Sequence, residues 1–426
     1  MGICVLYRCG VLGLFAGVLV AQRAPIPRAD ELPGSPFAIR KTWVIGGAGS
    51  WDYLTLDPVA GQLFVTHQTK VQVVDIASGA VAGEVSGFGE AHAVALDPNG
   101  QTGYVSDGRS NKVFFFDRRT FQVTGFVEVP ASPRALVFER ATGMLVAFGA
   151  LPVAPPPPRD APKPSPSEAP TWWCTYPGNR WPPPPDYQSV VSIIDPEKKA
   201  RIADVQVCGL LGAAEADGAG QAWFSISNFN SVGRLSIFGI VEMAHNRIPA
   251  ELNGAHGSIA ANGTLLLDFR ARVGPHYRTF RLGNRCRDAR AVAVDVVHQR
   301  LFAACANQVF TVVATDTGTP MTELTIGPGA DAMAYDASRG LIFTANGGGY
   351  GSVTIIRQHL TDSYAVIQNL PTLQQARTMA VDPSSGLVYL VTSLYGADLR
   401  NPPANGIGTL KLNPVDGSFR VLVIGN

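Results

Sequence analysis

Apolar and polar residues alternate along most of this chain in short runs that close on an acidic residue. The stretch LDPNGQTGYVSD (96–107) reads as the end of one strand, a tight turn and a second strand. Close variants recur as LDPVAGQLFVTH at 56–67, YDASRGLIFTAN at 335–346 and VDPSSGLVYLVT at 381–392. A third alternating run ending in Asp follows, as in VQVVD (71–75), VFFFD (113–117) and SIID (192–195). A turn then leads to a fourth run, such as VAGEV (81–85). Four such runs joined by tight turns predict one antiparallel sheet.

The acidic residue that closes each first strand falls at Asp57, Asp97, Glu139, Asp217, Asp295, Asp336 and Asp382, with spacings of 40, 42, 78, 78, 41 and 46 residues. A period near 40 marks an array of small repeated units. A single four-stranded sheet exposes too much apolar surface to stand alone, whereas seven packed around an axis bury both faces of each. The predicted fold is therefore all-β: a seven-bladed β-propeller of four-stranded antiparallel blades. Closure is expected from pairing of the N-terminal RKTWVIGG (40–47) with the C-terminal FRVLVIGN (419–426).

The second strands LFVTH, YVSD and IFTAN, set in this grammar, resemble the YVTN-type β-propeller repeat proteins, a WD40-like class. The resemblance covers roughly residues 40–426. It implies a propeller and an exported protein. Many members have no known activity, so it speaks to fold more than to function.

The two spacings of 78 residues imply insertions. The Pro-rich segment 154–185 cannot form a central strand, because proline lacks the backbone donor. GSIAANGTLLLDF (257–269) could open an eighth blade, but too few residues remain before Asp295 for four strands. The expected organisation is a signal at 1–21, a linker at 22–38 and a propeller at 39–426, with insertions at about 151–187 and 228–263. Both insertions are expected to follow a second strand, as does the loop 393–408. All three would then cover one face of the disc.

Composition supports a turn-rich β protein: 46% of residues are apolar and only 16% charged, with 45 Gly and 32 Pro. The formal net charge is +1 and no basic run exceeds two residues, which argues against a nucleic-acid partner. Arg8 followed by the apolar run at 10–20 and LVA ending at Ala21 reads as an export signal. That run is too short to span a bilayer comfortably, so no membrane span is expected after cleavage. A soluble monomer, periplasmic or extracellular, follows. Four cysteines would remain, with expected disulfides Cys174–Cys208 and Cys286–Cys305.

Candidate chemistry gathers on the same face. The residue just before each first strand, in this register, is Asp52, His92, Arg134, Gly212, Arg290, Asp331 or Arg377. These should ring the mouth of the central channel. Three arginines there suit a small anionic ligand, because guanidinium offers paired donors. The competing expectation is that Asp and Arg pair to join neighbouring blades. The ends of the second strands, among them His67, Asp107 and Asn346, should form an outer ring. His67, His92, Asp52 and Asp107 could converge on a metal, but no local ligand spacing supports one, and no metal or other cofactor is expected. Trp172, Trp173, Tyr176 and Trp181 form an aromatic cluster in the Pro-rich insertion, expected to anchor this lid to the disc or close over a ligand.

GxSxG, HExxH and CxxC are absent from the sequence. The expected function is binding or scaffolding through the face with the channel mouth and long loops, toward a small anionic ligand or an envelope protein or polymer. The alternative is an enzyme at the mouth, either a lactone-type hydrolase or a quinone- or metal-dependent oxidoreductase.

Overall fold

A computed structural model describes residues 36–98, 100–151, 188–246, 255–269, 276–397 and 412–426. Their strands form seven antiparallel blades. Blade one consists of Trp51–Asp57, Gln62–His67, Lys70–Asp75 and Val81–Ser86, paired in chain order from the axis outward. Blades two, five and six repeat this meander. In blade seven the N-terminal strand Ala38–Val44 is the outer strand. It runs antiparallel to Arg420–Gly425, which in turn pairs with Val388–Thr392. The two ends of the chain thus close the ring, as the alternation at 40–47 and 419–426 implies.

The recurrent acidic residue acts on the turn that follows it. Asp57 accepts from the amides of Val59 and Ala60, Glu139 from Ala141 and Thr142, Asp336 from Ser338 and Arg339, and Asp382 from Ser384. Each carboxylate satisfies turn amides that the ladder cannot reach. Between blades, apolar side chains from facing sheets interlock. Phe64 meets Phe116 at 5.8 Å between ring centres, Phe148 meets Phe224 at 5.3 Å, and Phe302 meets Tyr335 at 5.1 Å. Burying each phenylalanine contributes about 2–3 kcal/mol, and together these inter-blade layers make the core.

The second insertion differs from expectation in its slot. Blade four runs Leu211–Ala216, Gln221–Ile226, Ser231–Ser236 and Tyr277–Arg281. Only the short helical turn Ser227–Phe229 joins its second and third strands. The insertion instead occupies 237–276, between the third and fourth strands, and so leaves from the opposite face of the disc. It opens with the helix Ile237–Asn246, whose first turn is capped by Ser236 Oγ accepting from the Gly239 amide at 3.2 Å. Ile237, Ile240 and Met243 recur on one side of this helix and are buried against the outer part of blade three.

The stretch weighed as an eighth blade forms a hairpin, Ala255–Ile259 with Leu265–Phe269. Leu265–Phe269 adds in parallel to Ala200–Cys208, so blade three becomes a six-stranded sheet. That addition covers an edge that would otherwise offer unpaired backbone groups. The loop after the second strand of blade seven does begin on the expected face, with Tyr395–Ala397 paired to Leu412–Pro414. Residues 1–35 and 152–187 lie outside the described residues, so the signal, most of the linker and the Pro-rich insertion with its aromatic cluster Trp172, Trp173, Tyr176 and Trp181 are not placed.

Candidate functional site at the channel mouth

The first strand of six blades breaks register near its start. The break falls between Trp51 and Leu54, Ala91 and Val94, Pro133 and Ala135, Leu211 and Ala214, Ala289 and Ala291, and Ala330 and Ala332. A bulge takes a residue out of the ladder and re-aims its side chain. The residues within these breaks include Asp52, His92, Arg134, Gly212, Arg290 and Asp331, and Arg377 immediately precedes the last such strand, Thr378–Val381. The mouth positions read from the sequence are therefore bulge positions.

Most of the ring joins neighbouring blades. His92 Nδ1 lies 2.7 Å from Asp52 Oδ2, linking blades one and two. Arg290 grips Asp288 through two bonds of 2.7 Å, which raises the guanidinium pKa still further. Asp331 stands between two arginines, 3.7 Å from Arg290 Nη1 and 3.5 Å from Arg377 Nε. Burial raises the Asp331 carboxyl pKa, against the opposing pull of Arg377 and then Arg290. Both contacts are longer than a charge-assisted hydrogen bond, and Arg377 Nε is buried without a hydrogen-bond partner among the described residues. At blades three and four the chain of pairs is interrupted. Arg134 is exposed and forms no ion pair or hydrogen bond among the described residues, and Gly212 offers no side chain.

Two further residues complete the site. Tyr53 shares the bulge of Asp52 and lines the central channel. Burial, then the charges of Asp52 and Asp331, push its hydroxyl pKa well above the ordinary value, so it is a neutral donor beneath the mouth. Glu215 lines the same cavity of about 200 Å³, with Met333 and Met379. Burial pushes its carboxyl up to about 8, although it accepts a hydrogen bond from the Val294 backbone.

The sequence does carry a signal for both. Directly after the mouth residue stand Ala93, Ala135, Ala213, Ala291 and Ala332 in five blades, against Tyr53 in blade one. Three places after it stand Thr55, Ala95, Val137, Ala293, Ala334 and Ala380, against Glu215 in blade four.

The expected outer ring does not open to the mouth. His67 is buried, with Nδ1 2.8 Å from Gln72 Oε1 and its ring 4.1 Å from that of Phe419. Asp107 accepts from the amides of Gly89 and Glu90 and from Ser110 Oγ, and Asn346 bonds to Thr344, Ser352 and Thr354. Each of these polar groups ends a buried strand and is satisfied there, Asp107 by turn groups and His67 and Asn346 by side chains on strands of the same blade. His67 and Asp107 thus face partners of their own rather than His92 and Asp52. Among the described residues no cluster of three or more His, Cys, Asp or Glu could hold a metal.

Cys286 is bonded to Cys305, with Cα atoms 5.6 Å apart. Cys208 is also disulfide-bonded. A cavity of about 1080 Å³ on the opposite face lies under blades one to three. Its wall arginine Arg118 is engaged with Asp57 and donates to the carbonyls of Asp97 and Gly100.

No family model matches the chain, and no curated protein matches it. Solved structures do. A chain of hydrazine synthase from Kuenenia stuttgartiensis superposes with a TM-score of 0.55 at 14% identity, over 83% of this chain and 95% of that one. A chain of the mitotic checkpoint complex gives 0.57 at 13% identity, over 94% and 99%. The WD40 repeats of RRP9 give 0.57 at 10% identity, over 90% and 96%. Identities this low bear on architecture alone. The chain is a seven-bladed β-propeller, and its likeness to YVTN-type repeat proteins holds at the level of the fold.

Proposed function

We propose that this propeller is an exported binding module that takes a small anionic ligand, such as a polycarboxylate, at the channel mouth. The observation that carries the reading is the state of the three arginines. Arg134 is without an acidic partner among the described residues, and Arg377 shares the single carboxylate of Asp331 with Arg290 at distances too long for good hydrogen bonds. A ligand carboxylate could reach better geometry with Arg134 and Arg377 than they now have, while the Tyr53 hydroxyl donates from below. Export is supported by the disulfides at Cys208 and at Cys286–Cys305, which persist in oxidising compartments. No described helix is long and apolar enough to cross a membrane.

The test is a thermal-shift screen of the purified protein against mono-, di- and tricarboxylates and inorganic phosphate. A ligand at about a hundred times its Kd adds roughly 2.7 kcal/mol of stability, a readily seen shift. The reading requires at least one anion to shift the melt and Arg134→Ala to abolish that shift. A panel without effect would contradict it.

A further inference from the structure

A second group of arginines runs from the mouth residue Arg290 toward the outer strands of blades four and five. Five of the 34 basic residues fall within 278–290, as Arg278, Arg281, Arg285, Arg287 and Arg290. Two are already engaged. Arg278 clamps blade four to blade five by donating to the carbonyls of Asp316 at 2.8 Å and Thr317 at 2.9 Å, and Arg290 grips Asp288. The other three are exposed. Arg281 has no side-chain partner among the described residues. Arg287 donates to the backbone carbonyls of Asn284 and Cys286, which leave its charge uncompensated. Arg285 stands 3.8 Å from Glu323, too far for a hydrogen bond, and Glu323 Oε1 is buried without a partner among the described residues. Arg285 is thus only loosely paired, and Arg281 beside it has no acidic partner among the described residues.

The loop that presents them is fixed. Its backbone is held by the Arg287 amide donating to Asn307 Oδ1 at 2.8 Å and Asn307 Nδ2 donating to the Arg285 carbonyl at 2.8 Å. The Asp288 amide donates to Asn230 Oδ1 at 2.8 Å, and the Cys286–Cys305 disulfide ties the same loop to the second strand of blade five. Such a loop loses little freedom when it binds. Beside it is a groove of about 720 Å³ between the outer strands of blades four and five. Arg281, Asn284 and Arg285 line one wall, and Pro320, Met321, Thr322 and Glu323 the other, so two arginines there outnumber one carboxylate.

We propose that this groove is a second binding site, for an acidic saccharide. Carboxylates of a uronate chain would engage Arg281 and Arg285, and the apolar CH face of a sugar ring would lie on Pro320 and Met321. Asn284 supplies a neutral partner for hydroxyls. Among the described residues the groove lining contains no aromatic ring on which a base could stack, which disfavours single-stranded nucleic acid. The site is separate from the mouth and stands or falls independently of it.

The experiment is fluorescence anisotropy with labelled hexagalacturonate on the purified protein, with maltohexaose and inorganic phosphate as competitors. Saturable binding is expected, weakened about tenfold or more by the double variant Arg281→Ala/Arg285→Ala, unaltered by Arg134→Ala, and displaced by neither competitor. The replaced side chains are exposed, and an unchanged melting curve would verify that the double variant is folded. Absence of saturable binding, equal affinity in the folded double variant, or displacement by phosphate alone would overturn the proposal. Loss through Arg134→Ala would place the probe at the mouth and overturn it as well.

Discussion

His92 Nδ1 meets Asp52 Oδ2 at 2.7 Å across the junction of blades one and two, and the His92 side chain is only 5% exposed. Each residue is carried by a bulge at the start of a first strand, so the same irregularity that opens the ladder supplies the link between blades. Removing His92 leaves Asp52 without this donor in a partly buried place. His92→Ala is expected to destabilise the protein by about 1–3 kcal/mol in chemical denaturation. A change within experimental error would show that the pair is not a link.

Glu215 gives the fold a pH dependence of definite sign. Its folded pKa is raised to about 8, above the ordinary carboxyl value of 4.5. Below that ordinary value the carboxyl is protonated whether the chain is folded or not, and there is no penalty. As pH rises from there, the unfolded chain loses its proton first and is favoured, until the folded carboxyl ionises near 8 and the loss is complete. Glu215→Gln should therefore stabilise the protein at pH 9 by about 1–3 kcal/mol more than at pH 4, a range discounted because Glu215 retains some access to the channel. Denaturation curves of both proteins at the two pH values measure this difference directly.

Much of the architecture can be read from the repeated acidic residue, because its role is local. A carboxylate at that place satisfies the amides of its own turn. The pattern misleads where tertiary packing overrides it. In blade four the third strand Ser231–Ser236 carries Gly233 and Arg234 in its centre, so its alternation is weak. Gly233 is required there because a Cβ would come within 2.4 Å of the Phe224 ring. The apolar run of the following helix Ile237–Asn246 then mimics a strand, and the pattern puts the insertion one slot too early. At the mouth, charge at regular spacing identifies the ring. It does not tell residues that face the opening from His67, Asp107 and Asn346, which are held inward by partners on their own blade and its adjoining turns.

The disulfide Cys286–Cys305 closes a loop over a sequence separation of 19 residues. A loop of that size is expected to contribute about 3 kcal/mol. Replacing both cysteines with alanine should lower the melting temperature by several degrees while leaving the far-ultraviolet circular dichroism unchanged. Unaltered stability would mean that the hydrogen bonds of Asn307 and Asn230 alone hold the loop.

Ring closure rests on one strand from the far end of the chain. Ala38–Val44 pairs with Arg420–Gly425, and Trp43 packs 5.9 Å from Tyr389 between ring centres. A chain lacking residues up to 44 should lose the single cooperative unfolding transition, because blade seven would expose an edge and its apolar face. Retention of one sharp transition would show that the closing strand is dispensable.

The central claim is that Arg134, the ring arginine with no partner among the described residues, anchors an anion at the channel mouth. Isothermal titration of citrate into the wild-type protein and into Arg134→Ala tests it most directly. The wild type should give saturable heat with one site, and the variant should bind at least about tenfold more weakly, the loss expected for a charge-assisted guanidinium–carboxylate pair. Equal affinity in the two proteins, or no heat from the wild type at millimolar citrate, would contradict the account.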